Sequence, residues 1–319
     1  MNKRKMALLG ALLAVSATSM AGVIPLEQTK GQTVVDGRFT DRLGRQRTEM
    51  QINKIWLSDR NRLDIEFEQN SYDSDTQDNP DTAKNEFTPA GERRSTFVQF
   101  ELFTQLGDSG RFELYTDFKP YNNGGTNTTT GYLDVMPTLV VARTENFESV
   151  LRAGMGYDQG KVESGVNQTR AVAEFKNYWV VNNWLELEAN AYAWNMMDTG
   201  FQKVELEAYW YTNHNLFTAD NGITINFLTE GGFDPYTFAD REAKKNDLGI
   251  VYEDETSLEG DYYFYFQPTV KINVPIADGK YNVYFQPGYY MDWTGGTAVE
   301  SSNSDSEGMF MRAGFSTKF

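Results

Sequence analysis

The 319-residue chain has no cysteine and a single histidine, His214. Without thiols it can form no disulfide framework, thiolate nucleophile or Cys-ligated metal site, and one imidazole excludes an HExxH zinc site or any multi-histidine centre. Positive charge is scarce as well: 29 Lys+Arg stand against 45 Asp+Glu, a net charge of -16. Such a surface repels nucleic acid, whose binding rests on a basic footprint. It tolerates or attracts cations. Long apolar runs are also missing. The one such run, Met6 to Val15, spans ten residues, short of the roughly 18 that a membrane helix needs.

That run follows Lys3, Arg4 and Lys5 and precedes Ser19-Met20-Ala21, small residues where a signal peptidase inspects the chain. Residues 1–21 therefore read as a secretory signal cleaved after Ala21. Cleavage leaves 298 residues with a net charge of -19. What remains is polar on average, yet 14% of the whole chain is aromatic. Export, polarity and many aromatics suit a membrane barrel, whose apolar residues are confined to alternate positions. A secreted β-sandwich or lectin shares that profile.

Alternation recurs along the sequence. Leu185, Leu187, Ala189, Ala191 and Ala193 fall on one face of a strand, with Trp184, Glu186, Glu188, Asn190 and Tyr192 on the other. Val204, Leu206, Ala208 and Trp210 oppose Lys203, Glu205, Glu207, Tyr209 and Tyr211. A helix would scatter these glutamates around its girth and leave no apolar face. Leu63, Ile65 and Phe67 alternate with Asp64, Glu66 and Glu68; Val98, Phe100 and Leu102 with Gln99 and Glu101; and Phe112, Leu114, Thr116 and Phe118 with Glu113, Tyr115, Asp117 and Lys119. Pro268 and Pro287 lie in two further alternating segments and, lacking a ladder donor, are read as local bulges.

Strands are expected at 33–43, 47–57, 62–70, 93–105, 111–120, 132–143, 149–158, 169–181, 184–194, 201–212, 222–230, 262–274, 281–291 and 309–319. Connections of even and odd rank differ in length: short turns alternate with mostly longer stretches such as 71–92, 121–131, 159–168, 231–261 and 292–308. This parity predicts an all-β, transmembrane, up-and-down antiparallel barrel of about fourteen strands, within a range of twelve to sixteen. Residues 22–32 form a short periplasmic segment and 33–319 the barrel. Leu248 to Tyr252 are a candidate extra strand, and 231–261 a candidate lid or pore insert. Aromatics near the periplasmic ends (Trp56, Phe103, Phe147, Trp179, Trp184, Tyr211, Tyr281, Phe319) and near the external ends (Phe118, Tyr132, Trp194, Phe201, Tyr262, Trp293) suggest two interfacial girdles. The alternative is that rings simply favour strands.

The last segment places Met309, Met311, Ala313, Phe315, Thr317 and Phe319 on one face and Arg312, Gly314, Ser316 and Lys318 on the other. Met311, Phe315 and Phe319 also fit a helical i, i+4 stripe, which Gly314, Ser316 and Thr317 weaken. On the signal peptide, the strand number, the acidic external loops and the terminal octet Arg312 to Phe319, the chain resembles the OmpG-like porins, including the major porins of fusobacteria. The octet resembles the signal read by the barrel-assembly machinery, carried by Arg312, Gly314, Phe315 and Phe319, with Thr317 departing from the usual large apolar residue. The resemblance implies a monomeric fourteen-stranded channel in the outer membrane for small hydrophilic solutes, its long loops outside, among lipids and lipopolysaccharide. A trimer is left open. Gating by a lumenal histidine pair does not carry over, because His214 is alone and falls in an expected periplasmic turn.

If the apolar faces meet lipid, the lumen is lined by Asp64, Glu66, Glu68, Glu101, Glu113, Asp117, Glu174, Glu186, Glu188, Glu205 and Glu207, with Lys119, Arg152, Lys176, Lys203, Lys271 and Arg312. Carboxylates two apart on a strand stand about 6.5 Å apart on one face, which suits glycosidase chemistry. Repetition on many strands argues instead for a charged wall, and no cofactor, metal or catalytic residue is called for. Such a wall gives a passive pore modest cation preference, unless acids and bases pair off across it. Acidic loops such as 71–92 offer oxygen ligands without EF-hand spacing and read as solvated. A barrel-based adhesin or receptor, or a secreted carbohydrate-binding β protein, are the alternatives.

Overall fold

In a computed structural model, the described residues are 23–42, 45–72, 93–123, 128–159, 168–197, 202–240, 261–295 and 306–319. They form fourteen strands: β1 (Val34–Arg42), β2 (Arg45–Ser58), β3 (Asn61–Tyr72), β4 (Arg93–Leu106), β5 (Phe112–Asn123), β6 (Thr128–Arg143), β7 (Phe147–Gln159), β8 (Gln168–Asn182), β9 (Leu185–Met196), β10 (Gln202–Thr218), β11 (Thr224–Asp240), β12 (Asp261–Ile276), β13 (Tyr281–Gly295) and β14 (Ser306–Lys318). Each strand pairs with the next, and β1 pairs with β14 from Val34↔Lys318 to Arg42↔Phe310, closing the barrel. Closure gives every strand two neighbours and leaves no sheet edge. The helical spacing in the last segment is thereby resolved in favour of the strand.

The described turns at 59–60, 107–111, 144–146, 183–184, 219–223 and 277–280 all lie at the end of the barrel that carries the start of β1 and the end of β14. The terminal residue is fixed there: Phe319 and Thr33 exchange backbone hydrogen bonds of 3.1 and 2.9 Å. The signal segment, Leu248 to Tyr252, Phe201 and most of loop 71–92 lie outside the described residues.

Several expectations change. β10 runs to Thr218 and β11 to Asp240, so His214 sits in a strand, not a turn. Its ring stacks on Trp184 at 5.0 Å. The sequence extended both strands poorly because Asn213, Asn215 and Gly231-Gly232 break the alternation. Pro268 and Pro287 make no bulge, because the β12–β13 register is unchanged on both sides of them, from Phe266↔Met291 through Thr269↔Gly288 to Ile272↔Phe285. Proline removes a donor without inserting a residue. True register shifts occur at Ile52/Ile55, Val140/Ala142, Val180/Asn182, Leu206/Ala208 and Asn215/Phe217, among others.

The outer face is apolar. Phe39, Leu106, Phe112, Phe118, Leu133, Leu151, Met155, Val283, Phe285, Met309, Met311 and Phe315 are all exposed. A contiguous apolar surface of this extent is foreign to a water-soluble monomer. Phe147 and Trp179 stack at 5.0 Å on this side, and Phe264 lies 5.2 Å from Trp293. The girdle expectation fails for Trp56, Phe103 and Trp194, which join a cluster inside the barrel, and for Tyr132 and Tyr211, which meet Asp117 and the inner cavity. Position along a strand sets depth, but parity sets the face, and these rings have inward parity.

Candidate functional site: the barrel interior

Cross-barrel contacts identify the inner face. The Arg152 guanidinium on β7 lies 3.9 Å from the Tyr115 ring centroid on β5 and 5.6 Å from that of Phe103 on β4. Side chains three strands apart meet only on the concave side. The same face carries Phe103, Tyr115, Met136 and Val172, which are buried with Leu26, and Trp56 and Trp194 pack against them. Leu26 belongs to the 3-10 turn Leu26–Thr29, ahead of β1. It is 1% exposed, and its backbone N–H donates to the Gln105 side-chain oxygen at 2.7 Å. Upstream, Ile24 N–H donates to Arg143 O at 3.0 Å. The segment treated from sequence as a periplasmic tail thus folds back into one side of the barrel mouth.

The arginines on this side are paired with acids, while other charged groups rest on neutral partners. Arg143 donates to Glu113 at 2.5 and 3.0 Å and to Glu148 at 2.6 Å. Arg170 on β8 reaches Asp134 on β6 at 2.5 and 3.0 Å, passing over β7. Gly156 makes this possible, since a Cβ there would stand 1.9 Å from Asp134 Oδ1. Arg152 meets Glu174 at 3.3 Å. Glu101 accepts the Tyr115 hydroxyl. Asp117 accepts the Tyr132 hydroxyl at 3.0 Å and the Gln99 amide at 3.0 and 3.1 Å. Lys119 stands over Phe97 at 3.8 Å and Lys176 over Tyr192 at 5.6 Å.

On β2 and β3, Asp64 faces Arg62 at 3.2 Å and accepts Lys54 N–H at 2.6 Å. Carboxylate oxygens of Glu49, Glu66 and Glu68 lie within 4.8 Å of one another. Two guanidiniums already serve this group: Arg38 meets Glu49 at 2.5 and 2.7 Å, and Arg47 bonds both Glu49 and Glu68. Glu186 accepts the Tyr178 hydroxyl at 2.5 Å, and Glu188 the Asn190 amide at 2.7 Å. Glu205 and Glu207 are half-buried on β10. The Lys203 side chain lies outside the described residues.

The remaining side, β10 to β14 with β1, is more open. A cavity of about 300 Å³ is lined by residues including Asp36, Arg38, Tyr211, Glu230, Lys271, Tyr284 and Arg312. Lys271 stands over Tyr284 at 3.9 Å, and Arg312 donates to Thr40 Oγ1 at 3.2 Å. Tyr284 crosses above Gly314 to reach Asp36 at 3.4 Å; a Cβ at 314 would meet its ring at 2.6 Å. In the terminal octet, Phe315 is exposed and Phe319 more so, at 70%. The unusual Thr317 donates its hydroxyl to Lys280 O at 2.8 Å.

Sequence reasoning missed Asp36, Arg38, Arg47, Glu49, Arg62, Asp134, Arg143, Arg170 and Glu230. For Asp36 and Arg38 the signal was present, since they and Thr40 alternate with Gly37 and Phe39. The small Gly37 hid the pattern.

No protein-family model matches the chain, and no curated protein matches it in sequence, so no sequence match bears on the resemblance to OmpG-like porins. Among solved structures, it is similar to one described as a bacterial polysaccharide outer membrane secretin, at 8% identity and a TM-score of 0.43 over 90% of this chain and 98% of that one. It is likewise similar to the NanC porin (10% identity, TM-score 0.34, 90% and 100% covered) and to the beta domain of the Bordetella autotransporter BrkA (10%, 0.37, 91% and 100%). At these identities and scores the likenesses carry no argument about function. The barrel rests on the strand pairing.

Proposed function

We propose that this chain is an outer-membrane porin, a passive water-filled channel for small hydrophilic solutes with modest cation preference. One observation carries the reading: a closed fourteen-strand barrel is apolar outside and charged inside, with an inner cavity left beside β10–β14 and β1. Closed barrels satisfy all strand hydrogen bonds internally and so can cross a bilayer. At fourteen strands the interior is wider than the eight-stranded case that side chains fill. In this reading the end with the short turns, the start of β1 and the end of β14 is periplasmic and the long connections face outside. Lipids, lipopolysaccharide and the barrel-assembly machinery are its partners, and the chain acts as a monomer. Cation preference rests on the acidic excess of the chain, 45 Asp+Glu against 29 Lys+Arg.

No catalysis is proposed; His214 is stacked on Trp184 at the barrel end. The Leu26 cluster favours a second reading, a barrel that anchors an adhesin or receptor and conducts nothing. Purified protein in planar bilayers separates the two. Stepwise conductance and a cation-directed reversal potential under a salt gradient support the porin. Cell or ligand binding without conductance supports the anchor.

A further inference from the structure

The cavity on the open side brings charged groups of both signs together. Arg38 is matched by Glu49 at 2.5 Å, but four other lining groups, Asp36, Glu230, Lys271 and Arg312, form no ion pair among the described residues. Each rests on a neutral partner instead. Asp36 accepts the Tyr284 hydroxyl at 3.4 Å; Glu230 accepts the Tyr265 hydroxyl at 3.2 Å and the Gln267 amide at 3.5 Å. Lys271 lies on the Tyr284 ring and Arg312 bonds Thr40. Strand placement keeps Glu230 from Lys271: Glu230 pairs with Gln267, four residues along β12 from Lys271, or about 13 Å of strand.

Two cations and two carboxylates share one small, partly desolvated space without direct ion-pair contact. Unpaired charge in such a setting is costly. An anion would satisfy Arg312 and Lys271 and leave the carboxylates; a cation would do the reverse. A solute carrying both charges satisfies both. The volume, about 300 Å³, is at the low end of ligand sites, about 300–1,000 Å³.

We infer that this cavity is a binding station for small zwitterionic solutes of the α-amino-acid type. The solute carboxylate is held by Arg312, and its ammonium by Glu230 and the neighbouring tyrosine rings. The inference rests on the channel reading and deepens it.

The test is current-noise analysis of wild-type channels in planar bilayers with glycine, with propionate and with ethylammonium at equal concentration. Conductance in salt alone tests the channel reading; the solute-dependent noise tests the station. Glycine is expected to produce saturable noise that neither single-charge solute matches. In Arg312→Gln and Glu230→Gln, glycine affinity falls at least roughly fivefold, the effect of losing about 1 kcal/mol of charge-assisted bonding. Equal noise from propionate, or no noise from glycine, overturns the inference. Because the comparison of solutes uses the wild-type protein, the inference can fail even if a variant does not fold.

Discussion

Arg143 shows how single residues hold the barrel interior together. Its guanidinium is 3% exposed between Glu113, itself 2% exposed, and Glu148. Truncation leaves a buried carboxylate uncompensated, a loss of about 3–5 kcal/mol. Arg143→Ala should therefore unfold at clearly lower denaturant concentration than wild type in detergent, and unchanged unfolding would show that Glu113 is solvated. Gly156 is a second sensitive point. Gly156→Val should displace the Arg170–Asp134 pair and lower the temperature at which the folded form loses its fast migration on detergent gels. Asp59 titrates outside the barrel wall. Lys30, which bonds it, holds its carboxyl below the usual carboxylate range. A lowered folded value means that the contact stabilises the N-terminal segment at neutral pH and that this contribution is lost as pH falls through the lowered value. Hydrogen exchange at residues 26–30 should accelerate only in that acid range and should lose this dependence in Asp59→Asn.

At the scale of elements, the strands were legible because one apolar and one polar face give a period of two. Predicted and observed limits of β2, β4, β8 and β12 differ by no more than two residues. β10 and β11 were shortened because asparagines and paired glycines carry no hydrophobic signal. The prolines were misjudged because a missing donor looks the same in sequence whether or not a residue is inserted. The N-terminal segment was illegible altogether: Leu26 is one apolar residue in a polar stretch, and its pocket is assembled from strands some 80 to 150 positions away. Deleting residues 23–30 should raise single-channel conductance, since Leu26 leaves the mouth; unchanged conductance would show that the segment lies clear of the path. Removing Phe319 takes away two backbone bonds to Thr33 and the terminal aromatic. It should reduce the heat-modifiable, folded fraction recovered from outer membranes while leaving the amount of synthesised chain unchanged.

For the whole molecule, alternation reveals that the chain has an inner face but not how that face is filled. Tyr115, Phe103 and Trp194 share parity with Glu113, Glu101 and Tyr192, and only closure decides that the rings pack together while Glu113 finds Arg143 and Glu101 the Tyr115 hydroxyl. The wall expected to be charged is divided, packed beside β4–β8 and more open beside β10–β14 and β1. The measurement that tests this account most directly is single-channel recording of the folded wild-type protein in planar bilayers. The account predicts discrete, ohmic steps smaller than an unobstructed fourteen-strand pore would give. Stable insertion with no conductance would contradict it and leave the barrel as an anchor.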